Sequence, residues 1–301
     1  MKRPHLIGPA LPFLLPNFLG FLAFTAWPVL AAVLLAFTAW DLVSSPQWVG
    51  FQNFSDLLGF TRTSEGIKAN DPLFWKYLYN TVFLMLMLPV NIMGSLALAM
   101  LLNRKLKGAT FYRLAFFLPS ILSGVAIFYL WRWMYNPDFG LVNSILASVG
   151  ISGPGWLTNP SWAKPALMVM GSWISIGGTS MILYFAALQN VPAELHEAAA
   201  IDGAGVWAQF LHITWPSVAP VTFFILTMGL IHGFQAGFEM AYIMTGGGPF
   251  GATTTLGFYI YDKAYVQFEM GYAAAIACVM FVLVLGVTLL NWKFGKGKIQ
   301  T

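Results

Sequence analysis

The chain has 301 residues, of which 58% are apolar and only 9% are charged. Soluble domains carry about 25% charged residues, so this composition excludes an ordinary cytosolic enzyme and a disordered chain. It also excludes a nucleic-acid-binding protein, because the 15 lysine and arginine residues are scattered rather than gathered on one face. The single cysteine, Cys278, excludes an internal disulfide framework and Cys-based zinc or iron–sulfur sites. A polytopic membrane protein remains.

Long gaps between charged residues divide the chain into six candidate membrane spans. Each gap reaches the roughly 18 residues that suggest a transmembrane helix. The apolar runs are continuous rather than alternating, which excludes a barrel. We therefore predict an all-α integral membrane protein with six transmembrane helices. The predicted spans are approximately 11–40, 77–103, 112–135, 165–188, 217–244 and 270–292.

The first span begins in the manner of a signal peptide, with Lys2 and Arg3 before an apolar run. The apolar region of a signal peptide is about 7–15 residues long, whereas this run continues to Trp40. We therefore predict a retained helix. Its early prolines predict a start near residue 11, and Pro28 predicts a kink further along.

Lysine and arginine orient the chain, because cytoplasmic segments of membrane proteins are enriched in both. With both termini in the cytoplasm, the short inside segments hold most of them, namely Lys2, Arg3, Arg104, Lys105, Lys107, Arg113, Lys293, Lys296 and Lys298. The segment 189–216 has neither residue type and is placed inside only by the alternation of six spans. Aromatic residues near the outer ends fit an interfacial belt or contacts with a soluble partner. They are Trp48, Trp131, Trp133, Trp156, Trp162 and Tyr259.

The loop at 189–216 is predicted to form two short helices around a glycine corner. Pro192 suits a first helical position, and Gly203 can adopt the left-handed conformation that closes the first helix. A second helix from about Val206 to Ile213 is predicted to stop at Pro216.

The first of these short helices has an apolar ridge, which is costly to leave in water. The ridge consists of Leu195, Ala198, Ala199 and Ile201. From the residues alone, the surface that covers it belongs either to the protein's own helical bundle or to a separate protein.

The same loop resembles the EAA signature of ABC-importer permeases. The resemblance rests on Glu197-Ala198-Ala199 followed by Gly203, Ile213 and Pro216 at the family spacing, with Trp215 where the family usually has leucine. Further motifs extend the resemblance to the maltose and glycerol-phosphate permease group, from about Trp48 to Trp292. These motifs are Asn80-Thr81, Leu102-Asn103-Arg104, Phe116-Phe117-Leu118-Pro119, Trp131-Arg132-Trp133-Met134-Tyr135-Asn136-Pro137, Met244-Thr245-Gly246-Gly247-Gly248-Pro249 and Met270-Gly271-Tyr272.

The resemblance implies a type I ABC importer permease fold, with one transmembrane permease domain over residues 1–301 of a bacterial cytoplasmic (inner) membrane protein. In this family the loop docks as a coupling helix on a cytoplasmic ATPase, whose closure rocks two permeases between inward-facing and outward-facing states. The implied partners are a second homologous permease, an ATPase dimer and an extracytoplasmic solute-binding protein. The implied coupling residues are Glu194, Glu197, Ala198, Ala199, Asp202 and Gly203. Without the motif, the two glutamates would be first-turn charges that aid solubility.

Signatures of catalysis and of cofactor binding are missing from the sequence. It has no GxxxxGK[ST] phosphate loop and no GxSxG motif. We therefore expect this chain to hold no cofactor, with ATP and Mg bound by the partner ATPase. His196-Glu197 lacks the second histidine of HExxH, and the four histidines have no metal-ligand spacing. These observations predict a transport subunit without enzymatic activity and without a metal.

Candidate substrate-pathway residues lie on the fourth and fifth spans, which flank the loop. On the fourth, polar residues recur at helical spacing and share one face, which suits either a pathway or interhelical hydrogen bonds. On the fifth, Gly229, Gly233 and Gly237 form a doubled GxxxG, which suits either close helix packing or room for a substrate. The candidates are Ser172, Trp173, Ser175, Thr179, Gly233, Phe234, Gly237 and Glu239.

Two of these assignments have particular reasons. The resemblance places the sugar-facing positions of some relatives at Leu230, Gly233, Phe234 and Gly237, where some relatives have polar side chains that this chain lacks. Glu239 is the only acid near the core of a span. It is either a functional charge within the membrane or a residue that reaches the outer interface.

The substrate class follows from what the spans contain. Their interiors have no lysine or arginine, and aromatic residues make up 16% of the chain. A phosphate favours a basic partner, whereas neutral polyols suit aromatic faces, so a carbohydrate is the first expectation and glycerol 3-phosphate or a related polyol ester the second. The outer loops 41–76 and 246–269 are the expected docking surface for the solute-binding protein. The rivals from other classes are an ion-gradient-driven secondary transporter that uses Glu239 and a membrane scaffold with no transport role.

Overall fold

The computed structural model describes the backbone of residues 7–64, 66–104, 107–235 and 237–299. Part of the predicted orientation rests on residues outside this range, namely Lys2, Arg3 and Lys105, and on the side chains of Lys296 and Lys298, which are likewise not described. Within the described residues, five helices are long and apolar enough to cross a membrane, and the number is six if a bent pair of helices is counted as one span. The predicted all-α membrane architecture is confirmed.

The first span is a helix with a π-helical turn in its middle. Helix α1 covers Ile7–Phe21, the π turn covers Leu22–Ala26 and α2 covers Trp27–Leu35. The wider π turn lies just before Pro28. Proline has no backbone N–H, and in a regular α-helix its ring clashes with the carbonyl group four residues earlier. The helix begins earlier than residue 11 and ends before Trp40. The irregularity predicted from its prolines takes the form of this π turn.

Short strands and one helix follow the first span. Strand β1 (Thr38–Ala39) pairs antiparallel with β2 (Gln47–Trp48), α3 covers Gln52–Leu58, and β3 (Phe60–Thr63) pairs antiparallel with β4 (Gly66–Ala69). The buried side chain of Asn53 donates to the carbonyl oxygen atoms of Ala36 and Thr38, each at 2.9 Å. These two bonds fix α3 against the end of the first span.

Thirteen further helices follow in the described part of the chain, from Pro72 onwards. They are α4 (Pro72–Met85), α5 (Leu88–Leu102), α6 (Ala109–Ile121), α7 (Gly124–Met134), α8 (Leu141–Ser148), α9 (Pro160–Ile176), α10 (Thr179–Gln189), α11 (Ala193–Ile201), α12 (Val206–Gln209), α13 (Trp215–Gln235), α14 (Gly237–Thr245), α15 (Leu256–Tyr261) and α16 (Met270–Ile299).

The third predicted span, 112–135, is not one straight helix. Helices α6 and α7 meet at 98°, because the backbone of Leu122 and Ser123 is extended, with ψ of 151° and 129°. A proline in the last turn of α6, Pro119, and a glycine at the start of α7 weaken the helix at this point. A bent pair therefore replaces the single predicted span.

The fourth span is interrupted at a pair of glycines between α9 and α10. Gly178 has an extended backbone, with φ of −82° and ψ of −151°. A Cβ on Gly177 would overlap the carbonyl oxygen of Phe116 in α6, so glycine permits a close approach of the two segments. The interruption separates Ser175 in α9 from Thr179 in α10, so the polar residues predicted to share one helical face do not lie on one regular helix.

Pro216 does not stop a helix as the sequence predicts. One helical run continues from α12 through a π turn at Phe210–Thr214 into α13. As in the first span, the π turn lies directly before a Trp-Pro pair, here Trp215-Pro216, and its extra residue accommodates the proline ring. The helix that contains the predicted fifth span therefore begins at Val206, inside the predicted loop 189–216.

Two compact units divide the chain, one formed by residues 1–72 and 259–281 and the other by 73–258 and 282–301. The second unit has two apolar clusters. The first joins α5, α10 and α13 around Leu96, Tyr184 and Val218. The second joins α7, α9 and α14 around Trp131, Leu167 and Met244.

Candidate coupling loop and substrate pathway

Helix α11 carries the predicted coupling residues and ends at a left-handed glycine. Asp202 caps the helix and Gly203 has a φ of 79°. This left-handed conformation confirms the predicted glycine corner. It would cost a residue with a Cβ about 1–2 kcal/mol. The amide of Ala204 donates to the carbonyl oxygen of Ala199 at 2.8 Å, which satisfies a terminal carbonyl of the helix.

A side-chain pair fixes the two helices of the loop across this corner. Nδ1 of His196 in α11 lies 3.1 Å from Oε1 of Gln209 in α12. The same Gln209 donates through Nε2 to the carbonyl oxygen of Ala204, at 2.9 Å. The loop is therefore held in a defined shape by its own polar groups.

The solvent-exposed surface of this loop is apolar, and the described residues of the chain do not cover it. Helix α11 has no buried residue. Ile201, Val206 and Trp207 are 87%, 79% and 78% exposed, and the carboxylates of Glu194 and Glu197 are exposed beside them. A contiguous apolar patch rimmed by charges is typical of a protein interface. The predicted ridge on α11 could be covered either by the protein's own helical bundle or by a separate protein. Within the described residues, the bundle does not cover it.

The predicted pathway residues of α9 and α10 lie in different environments. Ser172 is buried, and its hydroxyl has no hydrogen-bond partner among the described residues. Trp173 is 42% exposed and meets Trp131 of α7 edge to face, with ring centroids 5.7 Å apart. Ser175 and Thr179 are exposed. Of the four, Ser172 is therefore buried and the other three are exposed, and their role in a substrate pathway stays a prediction.

The glycines of the fifth span serve close packing. A Cβ on Gly229 would collide with Leu88, and one on Gly233 would press on Met85. Gly237 begins α14 and is packed against Thr255. The geometry thus favours the packing interpretation of the doubled GxxxG. The neighbouring Phe234 is buried, with 5% exposure.

Glu239 lies in the first turn of α14 and is exposed. Its carboxylate lies beside Gly124 at the start of α7. Across the residues that the structure describes, it has neither a basic partner nor a hydrogen bond. No described hydrogen bond or ring contact joins Glu239 to Phe234 or to the polar residues of α9.

The sequence did not reveal a buried polar network in the second unit. Asn80 is 1% exposed, and its Nδ2 donates to the carbonyl oxygen atoms of Gly251 and Thr254, each at 2.9 Å. Its Oδ1 accepts from Nζ of Lys164 at 3.0 Å, and this ammonium lies 4.7 Å from the centroid of the Tyr79 ring. The only sequence signal was that Asn80-Thr81 is one of the shared family motifs.

This network holds the glycine-rich segment 246–256 against α4. Thr81 accepts from the amide of Leu256 at 3.0 Å, and Nζ of Lys76 donates to the carbonyl oxygen of Phe250 at 2.6 Å. The segment contains left-handed glycines at 246, 247 and 251, which explains why glycine recurs there. Its position is therefore fixed by side chains of a distant helix.

Lys164 also corrects a sequence expectation. The fourth span was expected to begin at 165 and to have no basic residue in its interior. The helix begins at Pro160, so Lys164 lies within the candidate span Pro160–Gln189. The argument against an anionic substrate is weaker as a result.

Several apolar helices and an exposed loop of defined shape indicate a multi-pass membrane protein with a surface for a partner. Residues 72–295 match the family of binding-protein-dependent transport system inner membrane components, and the chain belongs to this family. It is similar to the probable ABC transporter permease protein YesP of Bacillus subtilis (strain 168), with 36% identity over 97% of this chain and 91% of that protein. It is also similar to the arabinooligosaccharides transport system permease protein AraP of the same organism, with 33% identity over 93% and 86%.

A third relative is the sn-glycerol-3-phosphate transport system permease protein UgpA of Yersinia enterocolitica, with 31% identity over 99% of this chain and 98% of that protein. Among solved structures, a bacterial ABC transporter involved in the import of the acidic polysaccharide alginate matches with a TM-score of 0.82 and 25% identity, covering 96% and 95% of the two chains. A bacterial alginate ABC transporter in complex with alginate pentasaccharide-bound periplasmic protein shows the same fold, with a TM-score of 0.82, 24% identity and coverage of 96% and 94%. The chain is a multi-pass permease subunit of an ABC importer, and the predicted fold and transport class are confirmed.

Proposed function

We propose that the chain imports a carbohydrate as one half of a permease pair, using ATP that a partner subunit hydrolyses. Relatives named for arabinooligosaccharide and alginate import support the substrate class. The second candidate substrate is glycerol 3-phosphate or a related polyol ester. It is favoured by the name of the Yersinia relative and by Lys164 inside the fourth span.

The uncovered apolar patch on α11 and α12 is the observation that carries this proposal. A patch of exposed Ile201, Val206 and Trp207 needs a protein partner. The partner is a cytoplasmic ATPase that binds ATP and Mg. Small Ala198 and Ala199 permit close docking, and the coupling residues Glu194, Glu197 and Asp202 supply carboxylates for a cationic or N–H-rich cleft.

The remaining partners follow from the importer class. They are a second homologous permease, an ATPase dimer and an extracytoplasmic solute-binding protein. Both termini lie in the cytoplasm, which places the coupling loop on the ATPase side and the loops 41–76 and 246–269 on the outer side. The alginate transporter bound to its periplasmic protein supports the last of these partners by analogy of fold.

The test is purification of the tagged chain from its native membrane in mild detergent, with sequencing of the chains that accompany it. We expect a P-loop ATPase and a second permease with an EAA motif. Ile201→Asp and Trp207→Asp should lose the ATPase and keep the second permease. Ile67→Asp is the matched control, because Ile67 is 75% exposed on β4 in a loop assigned to the outer side. A folded chain that arrives alone would contradict the proposal and favour a gradient-driven carrier.

A further inference from the structure

A cavity of about 430 Å³ lies in the second unit, where the end of α7, the segment after α8 and the end of α14 meet. This volume falls within the range of about 300–1,000 Å³ that small-molecule sites occupy. Its lining combines aromatic and hydrogen-bonding side chains, including Arg132, Tyr135, Asn136, Trp156, Thr158 and Tyr242. None of the coupling or pathway residues predicted from the sequence is among them.

Two aromatic side chains form a rigid wall of this cavity. Tyr135 is 3% exposed, and its ring is tilted by 31° against that of Trp156, with centroids 5.5 Å apart. The hydroxyl of Tyr135 donates to the carbonyl oxygen of Ala166 at 3.0 Å, and Nε1 of Trp156 donates to Oδ1 of Asn143 at 2.6 Å. Because both polar atoms are bonded within the protein, Tyr135 serves as buried support for Trp156, and the ring of Trp156 is the apolar surface on this side of the cavity. Tyr242, which is 49% exposed, adds a third aromatic side chain from α14.

The cavity also contains side-chain N–H groups that donate no hydrogen bond to the described residues. Arg132 is exposed, and its guanidinium makes one hydrogen bond, from Nη1 to the carbonyl oxygen of Ile243 at 3.3 Å. Guanidinium has five N–H donors, and no carboxylate is among the lining residues. Oδ1 of Asn136 accepts from the amides of Asp138 and Phe139, at 2.9 and 3.2 Å. This pair of bonds orients the side chain and leaves its Nδ2 without a partner among the described residues.

We propose that this cavity is a sugar subsite, which receives one ring of the transported carbohydrate at the outer end of the permease. The C–H faces of the sugar pack on Trp156 and Tyr242, and its oxygen atoms accept hydrogen bonds from Arg132 and Asn136. Apolar walls with a few fixed polar groups are the general form of a small-molecule site. The cavity lies at the ends of α7 and α14 that the proposed orientation assigns to the outside. The inference rests on the proposed carbohydrate function.

A side chain of a docking protein is the other occupant that the cavity could take. The unused N–H groups of Arg132 and Asn136, with no acid among the lining residues, favour an oxygen-rich ligand such as a sugar ring. The two occupants differ in what the cavity residues control. A sugar subsite controls the concentration of sugar needed for uptake and contacts the sugar directly, whereas a docking site controls the affinity for the binding protein.

The experiment uses the whole importer, purified with its partners and reconstituted into proteoliposomes with the solute-binding protein outside and ATP inside. Uptake of radiolabelled maltotriose, arabinotriose, lactose and trigalacturonate is measured first, and a sugar that is imported is carried forward. Arg132→Gln and Tyr242→Leu should each raise the KM for that sugar about five-fold, as expected for loss of one or two hydrogen bonds or a ring contact, with an unchanged maximal rate. The matched controls are Arg104→Gln between α5 and α6 and Tyr129→Leu on α7, both exposed and outside the cavity.

A diazirine derivative of the imported sugar supplies the second measurement. Photolysis should label peptides that contain residues 132–136 or 156–158, and excess unlabelled sugar should suppress the labelling. If import proceeds but the KM values do not change and the label lies elsewhere, the subsite is wrong and the carbohydrate function stands. If Arg132→Gln instead weakens association of the binding protein and leaves labelling unchanged, the cavity is a docking site and the inference is overturned. If none of the sugars is imported, both the carbohydrate function and the subsite are contradicted.

Discussion

Gly271, in the first turn of α16, lies directly against the carbonyl oxygen of Thr38 at β1. The amide of the preceding Met270 donates to the carbonyl oxygen of Trp40, at 2.9 Å. Nearby, the hydroxyl groups of Tyr259 and Tyr272 both donate to Oδ2 of Asp71, each at 2.7 Å. The first unit is thus closed by contacts between its two sequence segments, and a glycine is required where the backbones meet.

Replacement of Gly271 tests this contact. Gly271→Ala places a Cβ on the carbonyl oxygen of Thr38, and the backbones must separate. We expect the free energy of unfolding to fall by about 1–3 kcal/mol, as for other overpacked sites. The measurement is thermal unfolding of the purified importer in detergent. Gly286→Ala is the control on the same helix, since no atom lies within 4 Å of its Cβ. Equal transition temperatures for the two variants would contradict the prediction.

The glycine corner of the coupling loop is tested by a second matched pair. Gly203 and Gly50 both have positive φ, of 79° and 61°, and both have open space around a Cβ. Alanine therefore introduces only backbone strain, of about 1–2 kcal/mol, at each position. Because 203 lies in the coupling loop, we expect Gly203→Ala to lower substrate-stimulated ATPase activity of the importer about five-fold or more.

Gly50→Ala provides the comparison for this measurement. It lies in the loop between β2 and α3, away from the coupling segment, so ATPase stimulation should remain within two-fold of the parent, about the scatter of such assays. Both variants should reach the membrane in normal amounts. Full stimulation in the Gly203→Ala importer would show that the left-handed corner is dispensable for coupling.

The network around Asn80 makes a third prediction. Asn80→Leu removes the donor to two partly buried carbonyl groups and the acceptor for Lys164. Each buried polar group left unpaired costs about 1–3 kcal/mol, so the segment 246–256 should detach from α4. Limited proteolysis of the reconstituted importer should then cleave this segment faster. Asn190→Leu is the control, because Asn190 is exposed and its one hydrogen bond lies within the end of its own helix. Unchanged cleavage of the Asn80 variant would refute the anchoring role.

The parts of the fold that follow from local physics were predicted from the sequence. The apolar runs gave the spans, and the Asp202-Gly203 pair gave the end of α11, because both depend on neighbouring residues alone. The helix that continues past Pro216 was missed because a π turn absorbs the proline, and sequence periodicity does not reveal such a turn. The interruption at Gly177 was missed because it depends on the backbone of a distant helix.

The candidate site likewise has parts that depend on neighbouring residues and parts that depend on distant ones. The loop at 189–216 could be predicted as a coupling loop because its residues are contiguous and match a family signature, and that role stays a prediction. The cavity around Arg132 and the network around Asn80 join residues from separate segments, such as Tyr135 with Trp156 and Asn80 with Gly251. Their motifs were visible in the sequence, but only the tertiary structure shows which of them meet.

Glu239 separates an ATP-driven importer from a gradient-driven carrier. It is exposed in the first turn of α14, and within the described residues it has no basic partner. A carboxylate that carried protons or sodium ions would be essential for uptake, whereas one that only meets the outer interface is replaceable. We therefore expect Glu239→Gln to retain at least about half of the parent uptake, since surface substitutions cost little. Uptake is measured in proteoliposomes with ATP inside, both with and without an imposed proton gradient.

The control for this substitution is Asp138→Asn, which removes an exposed carboxylate from the segment between α7 and α8. Both variants should import substrate in the absence of a gradient, and a protonophore should leave both rates unchanged. Loss of uptake in Glu239→Gln alone, together with sensitivity of the parent to the protonophore, would favour the gradient-driven carrier. Because the exposed patch on α11 serves no purpose in such a carrier, the Ile201→Asp variant should then transport normally. An importer driven by ATP should instead lose uptake on Ile201→Asp and keep it on Glu239→Gln.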